Sequence, residues 1–295
     1  MHISVDILSD QMPAWRVRPS ELAETLLSEI STAFSYRLDL SYDRIGRASE
    51  EKFGTKLTQH TVKHLQSVGK AIVLCWDRDT LESLMDADEA FLHTVRADSF
   101  QSLSEEKRGW DSIQIVRSLE PAMIMSACNQ ISTVQPCDPW LSVAPNSQRE
   151  AWSHAFADLK KKGTLLEKSA PEAIWGLIRN GRFGTVILPP YAGSIFASAV
   201  RALRADGFTR AVSYGRSYLF MPFLDAENET ASILSVILSV ADYLDTVCGM
   251  HKEAFCVRAG LAAMQENTGA LSDSERLVDL ILQQIRFAGQ WLTNR

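Results

Sequence analysis

The stretch "TVILPPYAGSIFASAVRALRADG", residues 185–207, decides how the rest of the chain is read. It begins as a buried strand, turns tightly at two prolines and continues as a helix. That arrangement is where α/β enzymes place their chemistry. Yet the turn and the start of the helix offer only Pro189, Pro190, Tyr191, Ser194 and Ser198. No acid, base or metal ligand stands there. The sequence around this stretch has to explain whether the chemistry lies elsewhere or has been lost.

Working outward, apolar runs and helical patterns alternate. "HISVDIL" (2–8) reads as a strand, and "YRLDLSY" (36–42) alternates as a half-buried strand does. "KAIVLCW" (70–76) and "PAMIMSA" (121–127) are continuous apolar runs, read as strands covered on both faces. Leu22, Leu26 and Ile30 fall on one helical face in 19–31. Further helices are expected near 79–93, 148–162, 171–181 and 193–206. The last third reads as helical, with an apolar stripe of Ile233, Val236, Ile237, Val240, Ala241 and Leu244. The stretch 128–150 reads as a loop or edge excursion. Strand and helix alternation predicts an α/β fold with a mainly parallel sheet.

Composition narrows the function classes. The 295 residues carry a net charge of −6, and no segment gathers the Lys and Arg of a phosphate-tracking surface, so nucleic acid is not an expected partner. The N-terminus has acids where a signal peptide needs a basic start. The apolar stretch near 230–247 is interrupted by Ser235, Ser239 and Asp242, so no membrane span is expected. Five scattered cysteines without a CxxC pair suit the reduced thiols of a cytoplasmic protein, with Cys75 and Cys128 as core residues. His60 and His64 stand four apart, and a solvated helix face is the expected reading, since no acid or Cys beside them completes a metal site. There is no GxGxxG, GxxxxGK[ST], GxSxG or HExxH.

The order of segments carries more than any motif. From about residue 34 the chain resembles the β-decarboxylating dehydrogenases, the isocitrate and 3-isopropylmalate dehydrogenase family. "FGTKLTQHTVKHLQSVGKAIVLCW" is similar to that family's Gly-Thr-x-Leu turn, helix and strand. "IVRSLEP" is similar to its Leu-Arg-Pro segment. "APEAIWGLIRNGRFGTVILPPYAGSIFASAVRALRADG" is similar to its Asp-Asn helix, strand and Asn-Leu-x-Gly-Asp-x-x-Ser-Asp turn. "AVSYGRSYLFMPF" is similar to its Ser-x-Gly strand and Phe-x-Pro, and "ETASILSVILSVADYL" to the helix behind its cofactor loop.

The resemblance implies an isocitrate/isopropylmalate dehydrogenase-like two-domain fold. The first domain would comprise 1–118 and 208–295, and a smaller second one 119–207, with a shortened dimerisation arm in 128–150. It also implies a homodimer, or a heteromer with a related protein, and a small-molecule ligand in the cleft between domains. Where the family binds Mg²⁺ or Mn²⁺ through aspartates, this chain has Ala170, Ser194 and Ser198, and its substrate-clamping Arg becomes Glu120. Active members also need a Tyr and a Lys in the middle of the chain. Here no Tyr lies between Tyr42 and Tyr191, no Lys between Lys107 and Lys160, and no Asp between Asp158 and Asp206. On the cofactor side the region Tyr214, Gly215, Arg216 and Pro222 is followed by "FLDAEN" without a glycine, and "LSDQMPAWRVRP" replaces a Gly-rich turn.

The resulting expectation is a catalytically degenerate protein that acts by binding, with no metal and no cofactor. One alternative is altered chemistry in the same cleft, carried by Glu120, Glu172, Tyr191, Ser194, Ser198 or Arg216. Another is an oxidoreductase acting on a 2-hydroxy acid, and NAD with Mg²⁺ or Mn²⁺ belongs only to that one.

Overall fold

The structure, a computed structural model, describes residues 2–11, 15–99, 111–118, 120–133, 140–143, 149–157, 165–180, 184–203, 207–225, 227–265 and 274–293. The chain forms two compact units, Met1–Asp88 with Arg216–Arg295, and Glu89–Gly215. It starts in the first with β1 (His2–Ser9), α1 (Pro19–Ala33), β2 (Arg37–Arg44), α2 (Gly46–Phe53), α3 (Gln59–Val68), β3 (Lys70–Leu74) and α4 (Arg78–Ala87). The second unit contains β4 (Leu92–Ser99), β5 (Asp111–Val116), α5 (Pro121–Thr133), β6 (Trp140–Ser142), α6 (Arg149–Ala155), β7 (Leu165–Glu167), α7 (Ala170–Asn180), β8 (Thr185–Leu188), α8 (Pro190–Leu203) and β9 (Gly207–Tyr214). The chain then returns to the first unit with β10 (Tyr218–Pro222), α9 (Glu229–Thr246), α10 (His251–Gln265) and α11 (Ser274–Thr293).

In the first unit the strands run β2-β1-β3-β10, every pair parallel. Burial on both faces explains the unbroken apolar run of β3, whose Ala71, Ile72, Val73 and Leu74 are inaccessible. Helix α1 begins with a proline, which lacks the N–H that a first turn leaves unpaired, and buries Leu22, Leu26, Leu27 and Ile30. Helix α9 packs against β10 and α1, and its apolar stripe is buried. Tyr243 of α9 lies edge-on to Phe220 at 5.3 Å and donates its hydroxyl to the Ser4 carbonyl at 2.9 Å. His64 is not merely solvated. It stands 3.1 Å from buried Asp6, which also accepts a hydrogen bond from Ser41, so α3 is tied to the sheet from below.

The second unit has the order β9-β4-β5-β8-β6-β7. Strand β4 is antiparallel to β5 and β9, while β5, β8, β6 and β7 pair in parallel. One face is apolar: Val95, Ile113, Ile115, Val186 and Leu188 pack with Ala173 of α7 and with Ala192, Phe196 and Val200 of α8. Along the other face Thr94 donates to Gln114 at 2.6 Å, Gln114 to Ser112 at 3.2 Å, and Ser112 meets Thr185 at 3.2 Å, all buried.

Three expectations change. The helix expected near 79–93 stops at Ala87, and Leu92 and His93 open β4. Residues 121–127 are helix, not strand. Ile124, Ala127, Cys128 and Ile131 are buried at the i, i+3, i+4, i+7 spacing of one helical face, behind a proline that starts the helix. Residues 89–118 and 208–215, expected with the chain ends, belong to the second unit, because β4, β5 and β9 pair with one another and through β5 with β8. The 128–150 stretch holds the end of α5 and the short β6, while 134–139 and 144–148 lie outside the described residues, as do Cys137 and the lysines at 160–162. Cys75 and Cys128 are core residues, 1% and 7% exposed. Among the described residues no helix is long and apolar enough to cross a membrane.

Candidate functional site

The turn after β8 is compact. The Pro189 carbonyl accepts N–H bonds from Ala192 at 3.1 Å and Gly193 at 2.9 Å, so the helix starts at once. Gly193 lies so close to β5 that a Cβ there would stand 2.7 Å from the Ile115 side chain. Of the residues expected to line the site, Tyr191 and Ser194 have side chains outside the described set, and Ala170 opens α7. Ser198 is exposed.

Glu172 has a structural job. Its Oε2 accepts the Ser169 backbone N–H and the Ser169 hydroxyl, both at 2.7 Å, and the Glu172 N–H reaches back to that hydroxyl at 3.4 Å. This is a capping box, and it holds the Glu172 carboxyl below the usual carboxylate range, chiefly through the Ser169 backbone bond. Replacing Ser169 with alanine is expected to cost about 1 kcal/mol, measured by denaturant unfolding. No change in midpoint would mean that α7 does not depend on its cap. Glu120 likewise sits at the start of a helix. It is exposed, its N–H donates to Ser118 Oγ at 3.2 Å, and its carbonyl accepts the Ile124 N–H at 2.9 Å.

The sequence pointed to Glu120 and missed a group beside it in the second unit. Arg117 follows β5 and donates its backbone N–H to the Phe91 carbonyl at 2.9 Å. His93 on β4 shares a face with Val95 and faces Ser213 of β9 across the ladder. Burial first, and the Arg117 charge second, push His93 down to about 4, so it is a neutral imidazole at physiological pH. His93 Nδ1 and Ser213 Oγ are buried and bond no described atom. Neither residue belongs to a motif, so only the strand register brings them together. Tyr214 is buried, and its carbonyl accepts the Phe91 N–H at 2.9 Å; Gly215 closes the second unit.

In the first unit the carboxyl ends of β1 and β3 carry a buried carboxylate. Asp10 Oδ1 accepts N–H bonds from Gln11 at 2.7 Å and Ala48 at 3.3 Å, and its Oδ2 is 3.5 Å from the Cys75 thiol. Asp10 thereby caps α2, whose own N-cap residue, Ile45, cannot. Burial and then the Asp10 charge push the Cys75 thiol far above its ordinary range, so it is no nucleophile. Beside this, Gln11, Arg44, Ala48, Glu51 and Lys52 line an open cavity of about 460 Å³.

Residues of the turn from β10 to α9 bond back to the helix that follows. The Phe223 N–H donates to Ser235 Oγ and the Asp225 N–H to Ser232 Oγ, both at 2.8 Å. Glu227 N–H donates to Asp225 Oδ1 at 3.0 Å, and Asn228 caps α9 through the Ala231 N–H at 3.0 Å. Glu229 Oε1, in the first turn of α9, accepts the Val17 N–H at 3.1 Å and the Ser274 hydroxyl at 3.3 Å. Pro222 is buried at the end of β10; Arg216 is exposed, and its N–H donates to the Asp88 carbonyl at 2.9 Å.

Neutral hydroxyls such as those of Ser194 and Ser198 are poor ligands for a hard cation. Among the described residues no three His, Cys, Asp or Glu side chains converge to hold a metal. After β10 the N–H groups of Phe223, Asp225 and Glu227 are engaged by Ser235, Ser232 and Asp225.

No family model matches the chain, and no curated protein matches it. Solved structures do. Isocitrate dehydrogenase from Methylococcus capsulatus aligns at TM-score 0.70 and 11% identity, over 97% of this chain and 100% of that one. A β-decarboxylating dehydrogenase from Thermococcus kodakarensis aligns at 0.68 and 12%, over 96% of each chain. A Thermus thermophilus protein aligns at 0.68 and 11%, over 96% of this chain and 68% of its own. At such identities the likeness is one of architecture, and the chain has the fold of the isocitrate and β-decarboxylating dehydrogenases.

Proposed function

We infer that this chain keeps a dehydrogenase fold without the dehydrogenase reaction and works as a binding or regulatory subunit, in a homodimer or with a related chain. The observation that carries this reading is the β10–α9 turn, where Ser232, Ser235 and Asp225 occupy the N–H groups of Asp225, Phe223 and Glu227. A helix N-terminus binds an anion through donors left open. Here Asn228 caps α9, and Glu229 adds a carboxylate of the wrong sign for a phosphate. The chemistry side agrees: Glu172 is spent on its cap, and no Asp lies between Asp158 and Asp206. Groups that act as a unit leave little activity when several are missing.

The test is absorbance at 340 nm with purified protein, NAD⁺ or NADP⁺, Mg²⁺ or Mn²⁺, and isocitrate, 3-isopropylmalate, tartrate or malate in turn. No turnover above buffer is expected. Turnover that survives re-purification and falls on Arg117→Ala or Tyr191→Phe would replace this reading with a working oxidoreductase.

A further inference from the structure

The cavity at the carboxyl ends of β1 and β2 is lined by charges that answer nothing in their own chain. The two strands run in parallel, with Ser9 opposite Arg44, so Gln11 and Arg44 emerge at one edge of the sheet. That is the edge at which open α/β sheets take up ligands. Helix α2 supplies the remaining wall through Ala48, Glu51 and Lys52, whose i, i+3, i+4 spacing sets them on one helical face. At about 460 Å³ the space suits a small molecule. Arg44 and Lys52 bring positive charges, Glu51 a negative one and Gln11 an amide. Although these charges line one cavity, none of Arg44, Glu51 and Lys52 makes an ion pair among the described residues. Lys52 Nζ instead lies 5.0 Å from the centre of the Phe53 ring, which places the ammonium without neutralising it.

The walls are fixed from behind. Buried Asp10 accepts the N–H groups of Gln11 and Ala48 on one oxygen, so a single carboxylate joins the strand wall to the helix wall. The Trp76 indole donates to the Gln11 carbonyl at 2.9 Å. The Ile45 N–H donates to the Ser9 carbonyl at 3.1 Å and the Gly46 N–H to the Lys56 carbonyl at 2.8 Å, which holds the start of α2. A backbone fixed in this way loses little freedom when its side chains close on a ligand.

We propose that this cavity binds an amino dicarboxylic acid, the class of glutamate and aspartate. The two carboxylates of such a ligand meet Arg44 and Lys52, its ammonium meets Glu51, and the Gln11 amide donates to a carboxylate. Two cations and one carboxylate leave the cavity one positive charge in excess, which the ligand's one excess negative charge cancels. The Arg44 guanidinium can take a carboxylate in a fork of N–H bonds, while Lys52 offers a point charge. A plain dicarboxylate would leave Glu51 unmet, and a neutral amino acid would leave one cation unmet, so the three charges together select the class. This gives a ligand to the binding role proposed above and rests on that role.

Isothermal titration calorimetry on the full chain tests it with L-glutamate, L-aspartate, glutarate and succinate. At least one of the amino acids is expected to bind with a Kd of roughly 1 mM or below, and the dicarboxylate of the same length, which lacks the ammonium, at least about tenfold more weakly. Arg44→Gln and Lys52→Gln are each expected to weaken the amino acid by about tenfold or more. Glu51→Gln is expected to bring the amino acid and its dicarboxylate to within about twofold of each other. All three side chains are exposed, so circular-dichroism melting curves of the variants should match the wild type. No binding of either amino acid up to roughly 10 mM overturns the proposal. So does a dicarboxylate that binds as tightly as its amino acid, which would make the cavity an anion site only, or full binding retained in both Arg44→Gln and Lys52→Gln. No dehydrogenase assay enters this experiment, so turnover at 340 nm would remove the proposed function and leave the cavity's ligand standing, and a silent titration would do the reverse.

Discussion

Replacing Gly46 with alanine lowers the unfolding free energy by about 3–5 kcal/mol, the range of a strained backbone combined with a broken buried hydrogen-bond cluster. Gly46 opens α2 at φ +59°, the left-handed region that disfavours any side chain. An added Cβ would stand 2.4 Å from the Asp10 carboxyl carbon and from one of its oxygens. Asp10 has no room to retreat. It is 5% exposed, its N–H bonds the Leu74 carbonyl at 2.9 Å, and its carboxylate holds the Gln11 and Ala48 N–H groups and the Cys75 thiol. Guanidinium unfolding followed by circular dichroism measures the loss. Asp10→Ala in the Gly46→Ala background removes the collision, so the double variant should be more stable than the summed singles by at least about 1 kcal/mol. A loss below about 1 kcal/mol for Gly46→Ala alone would show that the carboxylate moves freely, and the close approach would not constrain the fold.

Acid should destabilise the chain through His93 before it reaches the carboxylates. His93 is held at about 4 when folded, against an ordinary value of 6.5. Above 6.5 the imidazole is neutral in both states and contributes no pH dependence. Between 6.5 and 4 the unfolded chain takes up a proton that the folded chain refuses, so stability falls with falling pH. The loss by pH 4 amounts to about 2–3 kcal/mol. Asp77 and Asp245 titrate below the usual carboxylate range, Asp245 against its His251 and Arg258 partners, and their contributions are lost lower down. Unfolding curves of wild type and His93→Phe from pH 7 to pH 4 should therefore diverge above pH 4.5. Parallel curves would mean that His93 reaches solvent in the folded state.

The framework is legible where burial is uniform. The runs that became β3 and β8 are apolar because sheet neighbours and helices cover both faces, and α9 announces itself by its stripe. The run 121–127 misleads because a short apolar stretch has no visible period, and only the burial of Ile124, Ala127, Cys128 and Ile131 brings the helix out. Strands β4 and β5 are hidden for the opposite reason. Their inward polar residues, Thr94, Ser112 and Gln114, satisfy one another across the sheet, so the sequence carries polar letters at buried positions. Around the candidate site, the lack of any Asp between Asp158 and Asp206 can be read from letters alone. The cap that employs Glu172 was also readable, since Ser169 and Glu172 stand at the capping-box spacing. Asp10 with Gly46 and Cys75, or His93 with Arg117 and Ser213, could not be read, because only the register of distant strands brings them together.

The strand order of the first unit has a consequence for biosynthesis. Strand β1 leaves the ribosome well before its later neighbours: it pairs with β2 and β3, but β3 needs β10 on its far side, and α1 needs α9 and α11 from the last third of the chain. The second unit is continuous and can close as soon as Gly215 has emerged. At roughly 5–20 residues per second of translation, the opening 88 residues wait on the order of 10–40 s with the β3 edge and the inner face of α1 uncovered. The first unit therefore cannot close before α11 has emerged, and until then its nascent chain exposes the kind of apolar surface that holding chaperones bind.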